Sequence, residues 1–227
     1  MKWTGTIVAT AAGSVGGCTF SRNRFGQYVR RRAMPVNPGS AFQNVMTAAL
    51  ASLVAAWKTL TTVQRDNWTN YALNTPRLDS SGNTIILTGQ MMYVSCNSAR
   101  MQIGVATINT APTIFGDAVL TPPAAVTLLA ATDVASISFV GSDLWAANVG
   151  GYLNVFISRP QSPTTNFFKG PYRFAGKING AATPPTSPQP ITSPFDYTVG
   201  QRGFIQYRAL NPDGRISAIA RQTILAT

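Results

Sequence analysis

The side chains that could transfer protons are few in this sequence. Its 227 residues include no histidine and no glutamate. Every acid is an aspartate, and the aspartates are Asp66, Asp79, Asp117, Asp133, Asp143, Asp196 and Asp213. Histidine is the side chain whose ordinary pKa best suits proton transfer near neutral pH. A Ser-His-Asp or Cys-His catalytic arrangement is therefore impossible.

Metal binding and catalysis by paired carboxylates are also disfavoured. The common zinc sites need histidine or several cysteines, and the chain has only Cys18 and Cys96, which we expect to be reduced. The aspartates are scattered without Asp-x-Asp spacing, so two carboxylates could meet only from distant segments. There is no phosphate-binding glycine motif. We therefore expect a protein that is not an enzyme, binds no cofactor and uses its aspartates in caps, turns and solvated positions.

The basic side chains, in contrast, are concentrated near the N-terminus. The partner-binding surface that we predict consists of Arg22, Arg24, Phe25, Tyr28, Arg30, Arg31 and Arg32. Arginine makes bidentate contacts with carboxylates and phosphates, and interleaved aromatic residues are typical of single-strand binders. Three interpretations stay open. We favour pairing with an acidic groove of a neighbouring subunit over a nucleic-acid surface or a merely solvated basic face.

The overall composition favours a protein that is covered by neighbours. Charged residues make up only 11% of the chain, whereas about a quarter is usual. The apolar share of 45% is ordinary and sufficient for a core. A freely soluble enzyme usually carries more charge to stay dispersed, so this composition, with a net charge of +11, favours a subunit of an assembly.

The sequence predicts an α+β protein with three regions. Residues 1–36 are expected to form an extended β arm, called here the basic arm, which has too few apolar residues for its own core. Residues 37–110 are expected to form a small helical domain, and residues 118–227 an all-β, immunoglobulin-like sandwich. Proline and glycine residues in 105–123 mark the boundary between the last two.

The helical region contains the clearest periodicity in the chain. Asn37-Pro38 is a typical helix start, and apolar residues then recur at three- and four-residue steps as far as Leu60. Thr61 and Gln64 form a capping box for a second helix. Trp57 and Trp68, one on each helix, are expected to share a small core.

A third helix and a series of short strands follow. Thr88 can cap the helix, and Gly104 can end it. About seven strands separated by turn residues are typical of an immunoglobulin-like sandwich. The predicted strands are Ala125–Leu129, Ala135–Val140, Leu153–Ser158, Phe167–Phe174, Phe195–Val199, Gly203–Leu210 and Ile216–Leu225. The proline-rich stretch Pro184–Pro194 is expected to be a loop or an edge excursion.

The first half of the chain resembles a loosely characterised group of structural proteins encoded by tailed bacteriophages and prophages. The similarity covers about residues 13–104. It is carried by Gly16-Gly17-x-x-Phe20-x-x-Asn23-Arg24-x-Gly26-x-Tyr28-Val29-Arg30, Pro35-x-Asn37-Pro38, Gln43, Trp57-x-x-Leu60-Thr61-x-x-Gln64-Arg65-x-x-Trp68-x-x-Tyr71-Ala72 and Thr88-Gly89-Gln90-x-x-Tyr93-x-x-Cys96-Asn97.

The resemblance implies a virion structural role, as a head decoration or cement protein or as a tail or connector component. The expected partners are further copies of the chain and the major capsid, tail or portal proteins, with assembly as a homo-oligomer in the particle. We expect synthesis in the host cytoplasm and no membrane association, because no segment approaches the roughly 20 apolar residues of a membrane span.

Two alternative functions remain open at this point. One is a nucleic-acid-binding packaging or connector protein that uses the basic arm. The other is a carbohydrate- or host-surface-binding module. The predicted C-terminal sandwich is similar, at the level of fold alone, to immunoglobulin-like modules on phage heads and tails, and such sandwiches often serve this role. Trp145, Tyr152 and Tyr172 could form its platform if they are exposed, although we expect core packing for each of them.

Overall fold

The computed structural model of the protein describes residues 11–24, 26–34, 36, 39–79 and 82–227, without the side chain of Phe42. The chain divides into two compact units. One comprises Met1–Val45 with Leu78–Ile85, and the other comprises Met46–Arg77 with Ile86–Thr227. The predicted α+β class is confirmed, because helices and antiparallel sheets are both present among the described residues.

The first unit contains a three-stranded antiparallel sheet in the basic arm. Its strands are β1 (Gly13–Val15), β2 (Cys18–Asn23) and β3 (Gly26–Arg31), and β2 lies in the middle. No described residue of this unit is buried. This agrees with the low apolar content of the segment, which leaves the sheet without a core of its own. A pair of two-residue strands, β4 (Arg77–Leu78) and β5 (Thr84–Ile85), follows later in the chain.

The three helices begin at local capping signals. They are α1 (Ala41–Thr59), α2 (Thr62–Leu73) and α3 (Gly89–Gln102). The predicted start of α1 at Asn37-Pro38 lies outside the described residues, and the helix begins later than expected. Its first turn follows Ser40, whose N–H donates to Gln43 Oε1 at 3.0 Å while the Gln43 N–H donates to Ser40 Oγ at 3.4 Å. That reciprocal pair is a capping box.

The caps predicted for the other two helices are confirmed. Thr61 and Gln64 form the capping box of α2, and the Thr88 hydroxyl accepts the N–H of Met91 at the start of α3. At the end of α3, Gly104 has a φ of +70° and its N–H donates to Met101 O. The Val105 N–H reaches back to Arg100 O, which completes a Schellman motif and satisfies the last carbonyls of the helix.

Seven strands in the C-terminal part form two antiparallel sheets. The smaller sheet has the order β10-β7-β6, and the larger has the order β12-β11-β8-β9. The strands are β6 (Val126–Leu129), β7 (Val134–Ile137), β8 (Tyr152–Ile157), β9 (Arg173–Asn179), β10 (Gln189–Thr192), β11 (Arg202–Leu210) and β12 (Ala220–Leu225). Both sheets contribute buried side chains to one apolar cluster, which includes Ile137, Val155 and Tyr207. The immunoglobulin-like identity of this sandwich stays a prediction.

Two of the predicted strands are wrong. Phe195–Val199 is a loop, and the strand lies earlier, at β10 inside the proline-rich stretch and at the edge of its sheet. Tyr197 explains the error: it is buried because its hydroxyl donates to Ser158 O at 2.6 Å, not because it belongs to a strand. Most of Phe167–Phe174 is also a loop, and β9 begins only at Arg173.

The helices pack on the outer face of the larger sheet. One buried cluster joins Trp68, Tyr71 and Tyr93 of the helices to Leu210 and Ile216 of the sandwich segment. The ring of Tyr93 lies 5.6 Å from that of Trp57 and 5.5 Å from that of Trp68. The two tryptophans therefore share one core, as expected, but Tyr93 joins them.

Cationic side chains fasten the end of α3 to the sheet. The ring centroid of Tyr152, in β8, lies 5.7 Å from the guanidinium carbon of Arg100 and 5.3 Å from the ammonium nitrogen of Lys177. The Lys177 ammonium also donates to Ile103 O, the C-cap of α3, at 3.1 Å. Cations at a helix C-terminus interact favourably with the helix dipole, so these contacts add to the apolar packing of helix on sheet.

The segment predicted as a boundary, residues 105–123, is held against the helices by specific hydrogen bonds. Asn97 is buried and exchanges two bonds with the backbone of Ile108, at 3.1 and 2.7 Å. Trp68 Nε1 donates to Asn109 O at 2.8 Å, and the Tyr71 hydroxyl donates to Gly116 O at 3.0 Å. This connection is therefore a strap packed on the helical layer.

A core residue of the sheet is expected to affect the helices. Replacing Leu210 by Ala should lower the free energy of unfolding by about 2–5 kcal/mol, because it opens a cavity between sheet and helices. Urea unfolding followed by far-UV circular dichroism and tryptophan fluorescence should show one coincident transition.

The exposed Leu225 of β12 provides the matched control, and L225A should cost less than about 0.5–1 kcal/mol. If the helices and the sandwich unfold in two separate transitions, and L210A shifts only the second, the shared core is wrong.

Candidate docking surfaces

The register of β2 and β3 decides which side chains of the basic arm share a face. Arg22 pairs with Gln27, Phe20 with Val29 and Cys18 with Arg31. Because opposed residues lie on the same face and successive residues alternate, Arg22 and Arg31 flank an apolar pair at opposite ends of one face. We call this the Phe20 face.

The remaining predicted site residues are distributed around this sheet. Tyr28 and Arg30 lie on the face opposite the Phe20 face, since each is offset by one residue from Val29. Arg24 lies in the turn between β2 and β3, and Arg32 follows β3 with its N–H bound to Gly17 O at 2.8 Å. Phe25 lies outside the described residues. The arginines are thus all exposed but do not form a single flat surface.

Exposed aliphatic side chains accompany the arginines of the basic arm. Val15 lies opposite Cys18 and extends the Phe20 face; it is 73% exposed. Met34 and Val36, just beyond β3, are 81% and 91% exposed. An aliphatic side chain gains about 1.5–3 kcal/mol on full burial, so this surface combines positive charge with unburied apolar area.

A second uncovered apolar surface lies between α1 and α3. It is a groove of about 430 Å³ lined by Val54 of α1 and by Gln90, Met91, Val94 and Ser95 of α3. Leu50, one turn before Val54, is exposed as well. The apolar stripe predicted on α1 is therefore only partly buried, with Leu53 and Leu60 inside the core.

Within the described residues, no single helix has the length and apolar content needed to cross a bilayer. The helices Gln43–Thr59 and Thr62–Leu73 reach that length and apolar content only when taken together, and a bend of 119° separates them.

The sandwich carries an aromatic groove that differs from the predicted carbohydrate platform. Trp145 is fully buried and Tyr152 packs under the helices, so neither is an exposed platform residue. Tyr172 instead lines a groove of about 330 Å³ with the stacked rings of Phe168 and Phe204 and with Arg221. Phe167, at the rim, is 74% exposed.

Most aspartates are bound to other groups of the chain, several of them distant in sequence. Asp117 pairs with Arg77 at 2.6 Å, and Asp213 pairs with Arg215 at 2.7 Å. Asp143 accepts the N–H and hydroxyl of Thr121, Asp133 accepts the Tyr197 N–H, and Asp79 accepts the Asn83 N–H. In the described part of the chain no three potential metal-ligating side chains cluster.

Burial dominates the protonation of the one thiol inside the core. Burial raises the pKa of Cys96 to about 12, against the opposing effect of the nearby Arg77 and Arg208. Burial also lowers the pKa of Arg208, with Arg77 contributing in the same direction. The Cys96 thiol is therefore neutral and unreactive at physiological pH, whereas Cys18 on the Phe20 face is exposed.

No family model, curated protein or solved structure matches this chain. The residues that carry the phage-protein resemblance can still be placed. In the helical part they are mostly buried or capping residues, such as Trp68, Tyr93 and Asn97. Gly89 belongs to this group because a Cβ there would meet Thr69 of α2 at 2.5 Å. In the basic arm they are exposed or half-buried.

The sequence interpretation missed the groove between α1 and α3 and the aromatic groove of the sandwich. A signal for the first was present. In α1, alanine, valine and leucine occur on nearly all sides and Lys58 is the only charged residue, and a helix that is apolar all round must be covered all round. The aromatic groove had no comparable signal, because Phe168 and Phe204 are far apart in sequence.

The environment of Cys96 predicts a loss of stability at alkaline pH. Below its ordinary value of 9.0 the thiol is protonated in both states. As the pH rises above that value the unfolded chain loses the proton and the folded one keeps it, so the free energy of unfolding falls, by at most about 1.4 kcal/mol per pH unit. Urea unfolding between pH 8 and pH 10 should show this slope in the wild type.

The C96A variant should show a flatter slope over the same pH range, whatever its stability at pH 7. A thiol-reactive dye at pH 8 should label one cysteine, Cys18, in the native protein and two after unfolding. Rapid native labelling of both cysteines, or equal slopes for wild type and C96A, contradicts the buried position of Cys96.

Proposed function

We propose that this protein is a structural component of a tailed-bacteriophage virion, docked on the particle through its basic arm and helical layer. The observation that carries the proposal is that two parts of the surface are uncovered in the single chain. The basic arm has exposed arginines and aliphatic residues with no buried described residue, and α1 has an exposed apolar side. Monomeric soluble proteins seldom leave such surfaces open.

The resemblance of residues 13–104 to phage structural proteins supports the same proposal, as do the low charge content and the absence of histidine and glutamate from the sequence. The position proposed for the protein is that of a head decoration, tail or connector component. Its role is to bind neighbouring virion proteins, and no residue has a catalytic role.

Charge reversal in the basic arm tests this role. The triple variant R30D/R31D/R32D should be lost from purified particles by at least about 10-fold, because each reversal turns a pairing contact into a repulsive one. Mass spectrometry of particles grown from a phage genome that carries the variant gene gives the content per particle. Circular dichroism of the isolated variant should be that of the wild type.

The control variant R159D/K169D/R173D has the same change of net charge at exposed positions outside the basic arm and the helices and should be incorporated normally. Normal incorporation of R30D/R31D/R32D excludes the docking role of the basic arm. Absence of the wild-type protein from particles refutes the virion proposal as a whole.

The aromatic groove supports a second candidate function, binding of a carbohydrate by the sandwich. Exposed Phe167 offers a flat apolar face to a sugar ring, and Arg221 provides hydrogen-bond donors beside it. On a microarray of bacterial surface polysaccharides, F167A should lose at least about 10-fold in affinity, as expected for truncation of an aromatic contact with the ligand. F115A removes another exposed ring and should bind normally. No binding by the wild type eliminates this candidate.

A further inference from the structure

The partner of the basic arm can be specified further by asking which molecule could neutralise it. Arg22, Arg30, Arg31 and Arg32 are exposed, and the sequence has no acid before Asp66. An interface that covers these guanidinium groups must supply acceptors for them, because a charge buried without a partner is strongly destabilising.

Another copy of this chain offers few carboxylates that are not already engaged. Five of the seven aspartates already bind groups of their own chain. Redirecting Asp213, for example, would leave the buried Arg215 without its ion pair. Only Asp66 and Asp196 are exposed without a hydrogen bond to another described residue.

The ratio of unbound aspartates to exposed arginines does not change with the number of subunits. In a symmetric homo-oligomer every copy offers as many carboxylates to its neighbours as it receives from them. Two unbound aspartates then face at least four exposed arginines per copy, and the net charge of +11 adds up with every copy. A different, acidic molecule therefore matches the basic arm better than another copy does.

Nucleic acid provides acceptors but does not match the rest of the surface. The apolar residues beside the arginines are mainly aliphatic, namely Val15, Val29, Met34 and Val36. Bases stack on aromatic rings, and the two described aromatic residues of the basic arm, Phe20 and Tyr28, lie on opposite faces and are half-buried. Phosphates cannot cover aliphatic side chains, whereas a protein interface combines an apolar centre with a charged rim.

The geometry of the Phe20 face fits that interface. Arg22 and Arg31 are four residues apart along the register, which corresponds to about 13 Å, and Phe20 and Val29 lie between them. Arg30 carries charge on the opposite face. A partner that pairs with the arginines of both faces contacts both sides of the sheet, as a groove does, and it meets the Phe20 face beside the cavity that Phe20 and Arg22 line with Asp79.

We infer that the basic arm inserts into a groove of a different virion protein, whose carboxylates flank an apolar floor. This rests on the proposed virion function and names the partner of the same surface. The contact is heterotypic, and it is made by an acidic protein surface.

Photo-crosslinking inside the particle identifies the partner directly. Val15 is replaced by the photoreactive p-benzoylphenylalanine during phage growth, particles are purified and irradiated, and the products are identified by mass spectrometry. The expected product joins position 15 to a different virion protein, in a segment bordered by Asp or Glu. The same substitution at Val199, an exposed residue of the sandwich, should not give this product.

A crosslink to a second copy of this chain, to packaged nucleic acid or to no other molecule overturns the inference. None of these results affects the virion function, which is tested separately by the presence of the protein in particles. If the protein is absent from particles, both the function and the inference fail.

Binding to nucleic acid is tested with the purified full chain. Fluorescence anisotropy with a 20-base-pair duplex and a 20-nucleotide single strand, at several salt concentrations, compares the wild type with R22D/R31D and with K58D/K169D, which has the same change of net charge. The inference predicts that R22D/R31D and K58D/K169D weaken any binding equally, within about 3-fold, because both change only the overall charge. A loss of 10-fold or more in R22D/R31D alone overturns it.

Discussion

The larger sheet of the sandwich buries side chains on both of its faces, and the arrangement of the rest of the chain follows from this. Its inner face packs on the smaller sheet, and the part of its outer face around Asn154 and Leu210 packs on the helices. Polar residues there need partners in a buried layer. The Asn154 amide donates to Ala99 O of α3 at 3.4 Å, whereas its Oδ1 is buried without a hydrogen bond to a described residue. The helices commit one side to this sheet, which leaves the other side of α1 uncovered.

Local signals in the sequence predicted the elements better than their packing. The capping residues of α2 and α3 and the Schellman end at Gly104 act within one turn of the chain, so they could be identified without tertiary structure. The shared core could not, although β8 contained a hint. Its run Leu153–Ile157 is apolar except for Asn154, and a strand buried on both faces, as this one is, is expected to have such a run. The strand wrongly placed at Phe195–Val199 shows the opposite case, in which a buried loop residue imitates a strand.

The candidate surfaces show a similar division. The concentration of arginines in the basic arm was evident from the residue types alone. The division of these arginines between two faces depends on the register of β2 and β3. A shift of that register by one residue would move every side chain of a strand to the other face. The amino-acid composition does not determine the register. The periodicity of α1 did not reveal the exposure of Leu50 and Val54, because periodicity shows that a helix has an apolar side and not whether a neighbour covers it. The apolar residues on nearly all sides of α1 were the available signal.

The two uncovered surfaces of the protein make different demands on their neighbours. The groove between α1 and α3 is apolar and nearly uncharged, so any complementary apolar surface can cover it, including that of another copy. The basic arm needs carboxylates that this chain has already used for Arg77, Arg215 and its turns. Homo-oligomerisation and binding to a different, acidic protein are therefore compatible, because they can use different surfaces of the chain.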